Sequence, residues 1–353
     1  MLSMFGNISP ATWFSLAMAC ATSLTALLLL TPVARAVGLV DTPNSRKLHE
    51  GAVPLIGGIT IFISSIVYLL FFAPQVHDKI LVLFATASLL FLSGLMDDFK
   101  PLSWRMRLVT QVFAAGSMIY FTDIKIESLG DLFGFGLIET GMLSVPLTIL
   151  AVVGITNAFN LCDGIDGLAG SLALVAIAAI IAFQSSGGGN PDLDFLLAMG
   201  AATVPYLLFN IFGNQNRKVF LGDAGSLFIG YVICFTLIHQ TQREDATIQP
   251  ASALWVVAIP LVDTIGVMVR RVRKGQSPFQ PDRNHLHHIL MRAGFSPKGA
   301  LVLLTGSASS LVLLGLAIEG SAPQWSFPAF FLVFIGYYWL LTHAWRVQRL
   351  LKH

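Results

Sequence analysis

Long apolar runs separated by short polar connections dominate the sequence. Each run has about 17 to 25 residues, the length that a helix needs to cross a bilayer. The runs cover residues 11–34, 54–73, 79–95, 105–121, 142–158, 167–184, 195–212, 222–239, 252–270, 299–318 and 326–345. Apolar residues are continuous within each run and do not alternate with a period of two, which excludes a transmembrane barrel. We therefore predict an all-α polytopic membrane protein with about eleven transmembrane helices.

The composition agrees with this prediction. Of the 353 residues, 55% are hydrophobic and 11% are charged, and the mean hydropathy is +0.75. The chain has no repeat of solenoid spacing and no low-complexity tract, so we predict a single integral-membrane domain over residues 1–353. Cys20, Cys162 and Cys234 show no paired spacing and are interpreted as packing residues.

Basic residues lie almost entirely on one side of the predicted spans. All but three of the 21 Lys and Arg residues lie in the odd-to-even connections or in the C-terminal tail, and the exceptions are Lys79, Lys125 and Arg243. Because cytoplasmic loops are enriched in Lys and Arg, this asymmetry predicts a cytoplasmic C-terminus. An odd number of spans then places the N-terminus outside.

Acids and histidines that could do chemistry gather on the same predicted side. They occupy the connections near residues 35–53, 95–106, 157–167, 210–226 and 270–298. A charge in the bilayer interior costs at least about 2.5 kcal/mol unless it is paired or hydrated, whereas an acid at the boundary stays ionised. We predict that these five connections form one active site at the cytoplasmic surface.

Two groups of acids are candidates for catalysis and metal binding. Asp97 and Asp98 are adjacent, so on a helix they point about 100° apart, and one can face a site while the other holds a neighbour. Asn160, Asp163 and Asp166 recur every three residues among glycines, and such oxygen ligands suit Mg²⁺, with Mn²⁺ as the alternative. Each group also has a purely structural interpretation: two acids that end a helix in water, and a polar cap on the sixth helix.

Two further motifs favour phosphate chemistry. Asp223 opens the eighth predicted helix, either as a simple N-cap or as a metal ligand with room beside it for a diphosphate. His285, His287 and His288 lack soft partner ligands for zinc and follow a basic segment that includes Arg270 and Arg271, so they favour an anion site. Lys47 adds a phosphate donor in another inner loop. A solvated basic loop is the alternative for the arginines.

Together these motifs resemble those of the polyprenyl-phosphate N-acetylhexosamine-1-phosphate transferases, within glycosyltransferase family 4. The matching stretches, in order, are Asp97-Asp98, Asn157-Ala158-Phe159-Asn160 through Gly167, Phe220 through Ser226, and His285-Leu286-His287-His288. The resemblance extends over about residues 37–295. The stretch from Ser277 to His288 is most similar to the type that uses undecaprenyl phosphate and UDP-N-acetylglucosamine, and Leu286 departs from the muramoyl-pentapeptide type, which has a histidine there.

The resemblance implies a role for each candidate residue. Asp223 and Asn160 are implied as Mg²⁺ ligands, Asp163 lines the diphosphate site, and an acid of the Asp97-Asp98 pair deprotonates or positions the lipid phosphate. The positions implied for uridine recognition are Asp166, Asn210 and Phe220. The residues implied in holding the diphosphate or the sugar are Arg270, Arg271, His285, His287 and His288, with Lys47 as a helper.

The implied reaction transfers N-acetylglucosamine 1-phosphate from UDP-N-acetylglucosamine to undecaprenyl phosphate and releases UMP. Its product starts O-antigen-type cell-surface polysaccharide synthesis at the bacterial inner membrane. The expected partners are these two substrates and membrane lipids, with a homodimer as a candidate assembly and no nucleic acid.

Three alternatives stay open. The first is a sister transferase that uses another UDP-N-acetylhexosamine. A polytopic transporter is the alternative from another class, and Asp263 is the one acid whose position inside a predicted span fits it. Asp263 equally suits a buried hydrogen bond that anchors its helix. The third is an inactive scaffold, against which the intact acids of all four motifs argue.

Overall fold

The computed structural model describes residues 9–42, 51–73, 78–184, 191–214, 216–246, 248–277 and 285–343. Helices account for most of this part of the chain. They are α1 (Pro10–Val37), α2 (Gly57–Phe71), α3 (Asp78–Phe99), α4 (Trp104–Thr122), α5 (Ser144–Cys162), α6 (Leu168–Phe183), α7 (Pro191–Phe212), α8 (Gly222–Thr241), α9 (Ala253–Val256), α10 (Ala258–Arg273), α11 (Leu286–Arg292), α12 (Pro297–Ser321) and α13 (Ser326–Thr342). Two short 3₁₀ turns, Gly141–Leu143 and Pro323–Trp325, precede α5 and α13, and the strands β1 (Val40–Asp41) and β2 (Val53–Pro54) form one antiparallel pair.

The lengths and apolarity of these helices identify an all-α, multi-pass membrane protein. Within the described residues, six helices are long and apolar enough to cross a bilayer: α1, α3, α5 with its preceding turn, α7 from Leu193, α8 and α12. The shorter helices α2 and α6 are also apolar. The count of eleven spans, the orientation of the termini and the single domain over residues 1–353 stay predictions.

The helices pack into two compact units. The first consists of Met1–Asp123 and Gln184–Thr236. Polar side chains tie its helices together where no water competes: Ser23 Oγ donates to the carbonyl of Ala202 at 2.7 Å, and Ser64 Oγ donates to that of Ala19 at 3.1 Å. Such short polar residues satisfy their own hydroxyl groups and allow α1 to pack closely against α2 and α7.

Glycines set the packing at the start of α8 in this unit. A Cβ atom on Gly58 would come within 2.3 Å of Gly225 Cα, and a Cβ atom on Gly94 would come within 2.5 Å of the backbone nitrogen of Ala224. The backbone nitrogens of Gly57 and Gly58 also donate to the carbonyls of Phe220 and Leu221, both at 2.9 Å. The first turns of α2 and α8 are therefore in direct backbone contact, and α3 contacts the backbone of α8 at Gly94.

The second unit consists of Ile124–Phe183 and Leu237–His353. Its apolar core is centred on Trp255, which is fully buried and packs edge to face against Phe330 with ring centroids 5.3 Å apart. Trp255 Nε1 donates to Ser326 Oγ at 3.0 Å, so the indole N–H is satisfied inside the core. These contacts join α9 to the start of α13.

Several helix ends differ from the predicted boundaries, and local hydrogen bonds explain two of them. Helix α3 continues to Phe99, so Asp97 and Asp98 lie in its last turn, and Ser103 caps the next helix by accepting from Met106 N at 3.3 Å. Helix α5 continues to Cys162, and Asn157 lies inside it with its Nδ2 donating to Val153 O at 2.7 Å. The predicted inner loop at 271–298 contains α11.

Candidate functional site

The first unit carries an acid cluster, formed by Asp97, Asp98, Arg107 and Asp223. Asp98 lies at the end of α3 and accepts from the first turn of α8: its Oδ1 from the backbone nitrogen of Asp223 at 2.8 Å and its Oδ2 from that of Ala224 at 3.1 Å. These are N–H groups that a helix leaves unsatisfied at its start, and the helix dipole also favours a carboxylate there. Asp98 is thus the cap of the helix that carries Asp223.

Gly222 makes this cap sterically feasible. Its φ angle of +78° lies in the left-handed region that residues with a Cβ atom rarely adopt. A Cβ atom on Gly222 would also come within 2.6 Å of Asp98 Oδ2. A larger residue would therefore both strain the backbone and displace the carboxylate.

Asp97 is held by different partners. Its Oδ1 accepts from Leu102 N at 2.7 Å, and its Oδ2 lies 2.6 Å from Arg107 Nε, as an ion pair that lacks the angular geometry of a hydrogen bond. The Asp97 side chain is only 1% exposed. Each carboxylate oxygen of Asp97 and of Asp98 therefore already has a donor or a cation beside it.

Asp223 is the accessible carboxylate of the acid cluster. Its side chain is 34% exposed, and its Oδ2 lies 3.7 Å from Arg107 Nη1. Arg107 thus stands between two acids and reduces their mutual repulsion. The sequence motifs do not include Arg107, although it lies only nine residues after Asp98.

The loop that leads into α8 carries the two uridine candidates of this unit. Asn210 is buried in the last turn of α7, and its Nδ2 donates to the carbonyl of Val219 at 2.7 Å. Phe220 is partly exposed and has the ammonium group of Lys218 5.5 Å from its ring centroid. Asn210 therefore shapes the loop, while Phe220 offers a ring surface.

The spacing of Asn160, Asp163 and Asp166 in the second unit suits either the start of a helix or a tight turn, and the structure shows a helix end followed by a tight turn. Asn160 lies in the last turn of α5, Asp163 is the residue at which that helix ends, and Asp166 belongs to the turn before α6. The backbone nitrogen of Asp163 donates to the carbonyl of Asn160 at 3.2 Å and closes the end of α5. Gly167, with φ +77°, is the last residue of the turn before α6 begins. All three polar side chains are partly exposed.

The same unit carries a histidine cluster, formed by His285, His287 and His288 at the start of α11. His285 Nδ1 lies 2.9 Å from Asp263 Oδ2, and both residues are at least 96% buried. His287 packs against Gly164, where a Cβ atom would come within 2.2 Å of His287 Nε2. This Nε2 atom is buried without a hydrogen-bond partner.

Burial decides the charge of His287. Desolvation, with smaller contributions from His288 and His285, lowers its pKa from 6.5 to about 3, and Asp263 only partly opposes this. His287 is therefore a neutral imidazole at physiological pH, able to donate one hydrogen bond and accept another.

Of the remaining predicted residues, two lie in α10 and one lies outside the described part of the chain. Arg270 and Arg271 occupy the last turn of α10, where Arg271 is buried and Arg270 is partly exposed. Lys47 lies outside the described residues. Tyr337 in α13, which the sequence did not single out, donates its hydroxyl to Asp263 Oδ1 at 2.5 Å.

The carboxylate oxygens of the acid cluster suit a hard cation such as Mg²⁺ better than they suit zinc. Within the described ranges, no group of three or more His, Cys, Asp or Glu side chains converges as a ready-made metal site. Mg²⁺ does not need such a group, since it keeps several waters and uses one or two carboxylates together with phosphate oxygens. The accessible carboxylate of Asp223 fits that requirement.

Comparison with known proteins gives consistent matches. The family model for glycosyl transferase family 4 matches residues 80–241. A protein of Salmonella typhi described as an undecaprenyl-phosphate alpha-N-acetylglucosaminyl 1-phosphate transferase is 39% identical over 92% of this chain and 90% of its own. Proteins of the same description from Yersinia pestis and Haemophilus influenzae are 39% and 38% identical, over 94% and 92% of this chain and 91% and 92% of their own. The resemblance noted from the motifs is thereby confirmed, and the chain belongs to the phosphoglycosyl transferases of glycosyl transferase family 4.

Proposed function

We propose that this membrane enzyme transfers N-acetylglucosamine 1-phosphate from UDP-N-acetylglucosamine to undecaprenyl phosphate and releases UMP. The observation that carries the proposal is the acid cluster. Asp98 caps the first turn of α8, and the Asp223 carboxylate in that turn is exposed to solvent next to Arg107. The relatives described above carry the name of this reaction. A helix start with exposed carboxylate and cationic groups suits the binding of a metal-bound diphosphate.

The proposal includes Mg²⁺, with Mn²⁺ as a substitute. The family resemblance assigns Asp223 and Asn160 as its protein ligands. When bound, the ion would neutralise diphosphate charge and so favour attack at phosphorus. The exposure of the Asp223 carboxylate and its oxygen chemistry support this assignment.

The reacting bonds follow from the two substrates. An oxygen of the lipid phosphate forms a bond to the β-phosphorus of the nucleotide sugar, and the bond from that phosphorus to the oxygen bridging the two phosphates breaks, with UMP as the leaving group. Two negatively charged phosphates must approach, so the net charge near Asp223 matters, and Arg107 offsets part of it.

The structural contacts favour positioning roles for Asp97 and Asp98 in this reaction. Asp98 fixes the backbone of Asp223, and Asp97 fixes Arg107. The alternatives are direct deprotonation of the lipid phosphate by one of them and a covalent route through an aspartate, and UMP exchange without the lipid is the signature of the covalent route.

The other predicted residues complete the proposal. Asp163 is proposed to line the diphosphate site and Asp166 and Phe220 to recognise uridine, with Asn210 supporting the loop that carries Phe220 through its hydrogen bond to Val219. The residues that hold the diphosphate or the sugar are Arg270, Arg271, His285, His287 and His288, with Lys47 as a helper. The neutral imidazole of His287 suits a directional hydrogen bond to a phosphate or sugar oxygen.

We further propose eleven membrane spans, an external N-terminus and a cytoplasmic C-terminus, with the active site facing the cytoplasm of a bacterial inner membrane. The distribution of Lys and Arg supports this orientation. Reporter fusions after residues 125, 218 and 275 test it: the first should report the outside and the other two the cytoplasm. A homodimer and an O-antigen-type product are part of the same proposal.

The decisive experiment measures exchange of labelled UMP into UDP-N-acetylglucosamine by the purified protein, with undecaprenyl phosphate and Mg²⁺ present or withheld. Exchange that needs both supports the proposal and a single displacement. Exchange without the lipid supports a covalent enzyme intermediate instead. Exchange only with another UDP-N-acetylhexosamine identifies a sister transferase, and no exchange with any of them overturns the proposal.

A further inference from the structure

Asp263 in α10 is the centre of a buried polar network in the second unit. Its side chain is almost fully buried, at 3% exposure. Three donors converge on it: His285 Nδ1 at 2.9 Å, the backbone nitrogen of Leu286 at 3.0 Å and the Tyr337 hydroxyl at 2.5 Å. A buried carboxylate needs such compensation, because an unpaired one costs several kcal/mol.

This network fixes the orientation of His285. A carboxylate at Nδ1 requires a proton on that nitrogen, so Nε2 is the ring atom left to act on a substrate. The Leu286 hydrogen bond to the other oxygen of Asp263 then fixes the backbone directly after His285.

His285 and His287 are therefore built for different tasks, although their rings are parallel within 5°. His287 has no carboxylate at either nitrogen among the described residues and packs against Gly164. His285 has the Asp263 carboxylate, which is itself held by the Tyr337 hydroxyl. Only His285 thus has a carboxylate that fixes which ring nitrogen carries the proton.

We propose that Asp263, supported by Tyr337, is a positioning residue that fixes His285 in the Nδ1–H form, so that Nε2 contacts the phosphate or sugar of the bound substrate. This inference rests on the proposed function. It adds two residues, one of them in the last described helix, to the set that the motifs define.

A merely structural role is the competing explanation, because Asp263 ties together α10, α11 and α13. The two explanations differ in what Asp263→Asn does. The amide keeps the shape and an acceptor but can donate to Nδ1, which favours the opposite ring tautomer. In a catalytic Asp–His pair of another enzyme class, this exchange lowers kcat by about 10⁴-fold with the geometry intact.

The test compares three variants by kcat, KM and melting temperature. For Asp263→Asn we expect kcat to fall by about 100-fold or more, with KM for the nucleotide sugar changed by less than about threefold. Tyr337→Phe, which removes one of three donors, should lower kcat by about three- to tenfold. The control is Ser326→Ala, which removes a buried hydrogen bond to Trp255 in the same unit and should lower melting temperature without lowering kcat.

Nitrogen-15 NMR of histidine-labelled protein gives a second readout that needs no activity. Wild type should show a His285 ring protonated at Nδ1, assigned by its loss in His285→Gln, and Asp263→Asn should shift this ring toward protonation at Nε2. A wild-type ring protonated only at Nε2 overturns the inference, as does an Asp263→Asn variant with unchanged kcat. If wild type shows the Nδ1–H signal but no exchange activity, the proposed function fails while the positioning of His285 stands.

Discussion

The acid cluster and the histidine cluster are held in place by opposite means. In the acid cluster, backbone N–H groups at the start of α8 hold Asp98, and the Arg107 guanidinium holds Asp97. The Asp223 side chain beside them is one-third exposed. In the histidine cluster, one buried carboxylate and close contact with a glycine hold rings that are almost entirely buried. Water screens the charge of Asp223, whereas Asp97 and the residues of the histidine cluster's Asp263–His285 pair are buried from it.

Under the proposed function, this difference gives each cluster a different kind of contribution to catalysis. A partly exposed acid at a helix start can exchange water for a metal-bound diphosphate at low cost, so its role is electrostatic. Buried imidazoles lose little freedom when a substrate arrives, so their role is directional. Substitutions in the acid cluster should act mainly on turnover, and changes around the histidines should act also on stability and its pH dependence.

The largest effect is expected for Asp223→Asn, which removes the accessible negative charge of the acid cluster. We expect kcat of UMP release to fall by about 1,000-fold or more, because the variant loses the carboxylate that we propose to hold Mg²⁺ against the diphosphate. The control is Asp245→Asn. Asp245 is an exposed acid in another loop, and its hydrogen bond from Arg243 lowers its pKa, so this variant also removes a negative charge. Because that charge lies outside the acid cluster, activity should stay near wild type. A loss of less than tenfold in Asp223→Asn would remove Asp223 from the site.

The next effect is expected for Asp98→Ala, which leaves two N–H groups at the start of α8 without their acceptor. Loss of such a cap costs about 0.5–2 kcal/mol and frees the Asp223 backbone. We expect kcat to fall by about 100-fold and the melting temperature to fall with it. Asp98→Asn, which keeps one acceptor oxygen, should recover part of both, and equal effects of the two variants would contradict the capping role.

The histidine cluster predicts a pH effect of intermediate size. Because the pKa of His287 is about 3 in the folded protein and 6.5 ordinarily, the unfolded chain binds a proton between these values that the folded chain does not. The stability gained from a neutral His287 is thus complete above pH 6.5 and declines as the pH falls toward 3. Between pH 7 and pH 5 we expect about 2 kcal/mol to be lost. Melting curves should show a weaker pH dependence in His287→Asn, and identical slopes would contradict the assignment.

The smallest effect is expected for Gly164→Ala. The added methyl group would overlap the His287 ring and push it aside, so we expect kcat/KM to fall by about tenfold. The matched control is Gly154→Ala in α5, where a Cβ atom meets nothing within 4 Å and activity should be unchanged. If both variants behave alike, the position of His287 does not matter for turnover.

The sequence predicts the helices and the helix-end positions of the acids well, for a physical reason. The change from apolar to polar residues at Asp97-Asp98 and at Asp223 marks the end of an apolar helix whatever the tertiary structure is. The buried hydrogen bond at Asp263, one of two interpretations offered from sequence, is likewise present.

The partners of these residues could not be predicted in the same way. The hydrogen bond from Asp223 N to Asp98 joins residues 125 positions apart, and it depends on the left-handed conformation of Gly222. The bond from Tyr337 to Asp263 joins residues 74 positions apart. Periodicity and motif spacing carry information about neighbours along the chain, whereas these contacts depend on how distant helices pack.

Helix α8 also differs from α1 in how much of it the rest of the protein covers. In the most apolar stretch of α8, 94% of the residues are buried, against 22% in α1. Bilayers of different thickness act on proteins through the helix surfaces that touch lipid tails, by tilting or bending those helices. A thinner or thicker membrane should therefore tilt α1 first. The helix that presents Asp223 is insulated from such changes, so the enzyme should keep its activity as the lipid composition of the host membrane varies.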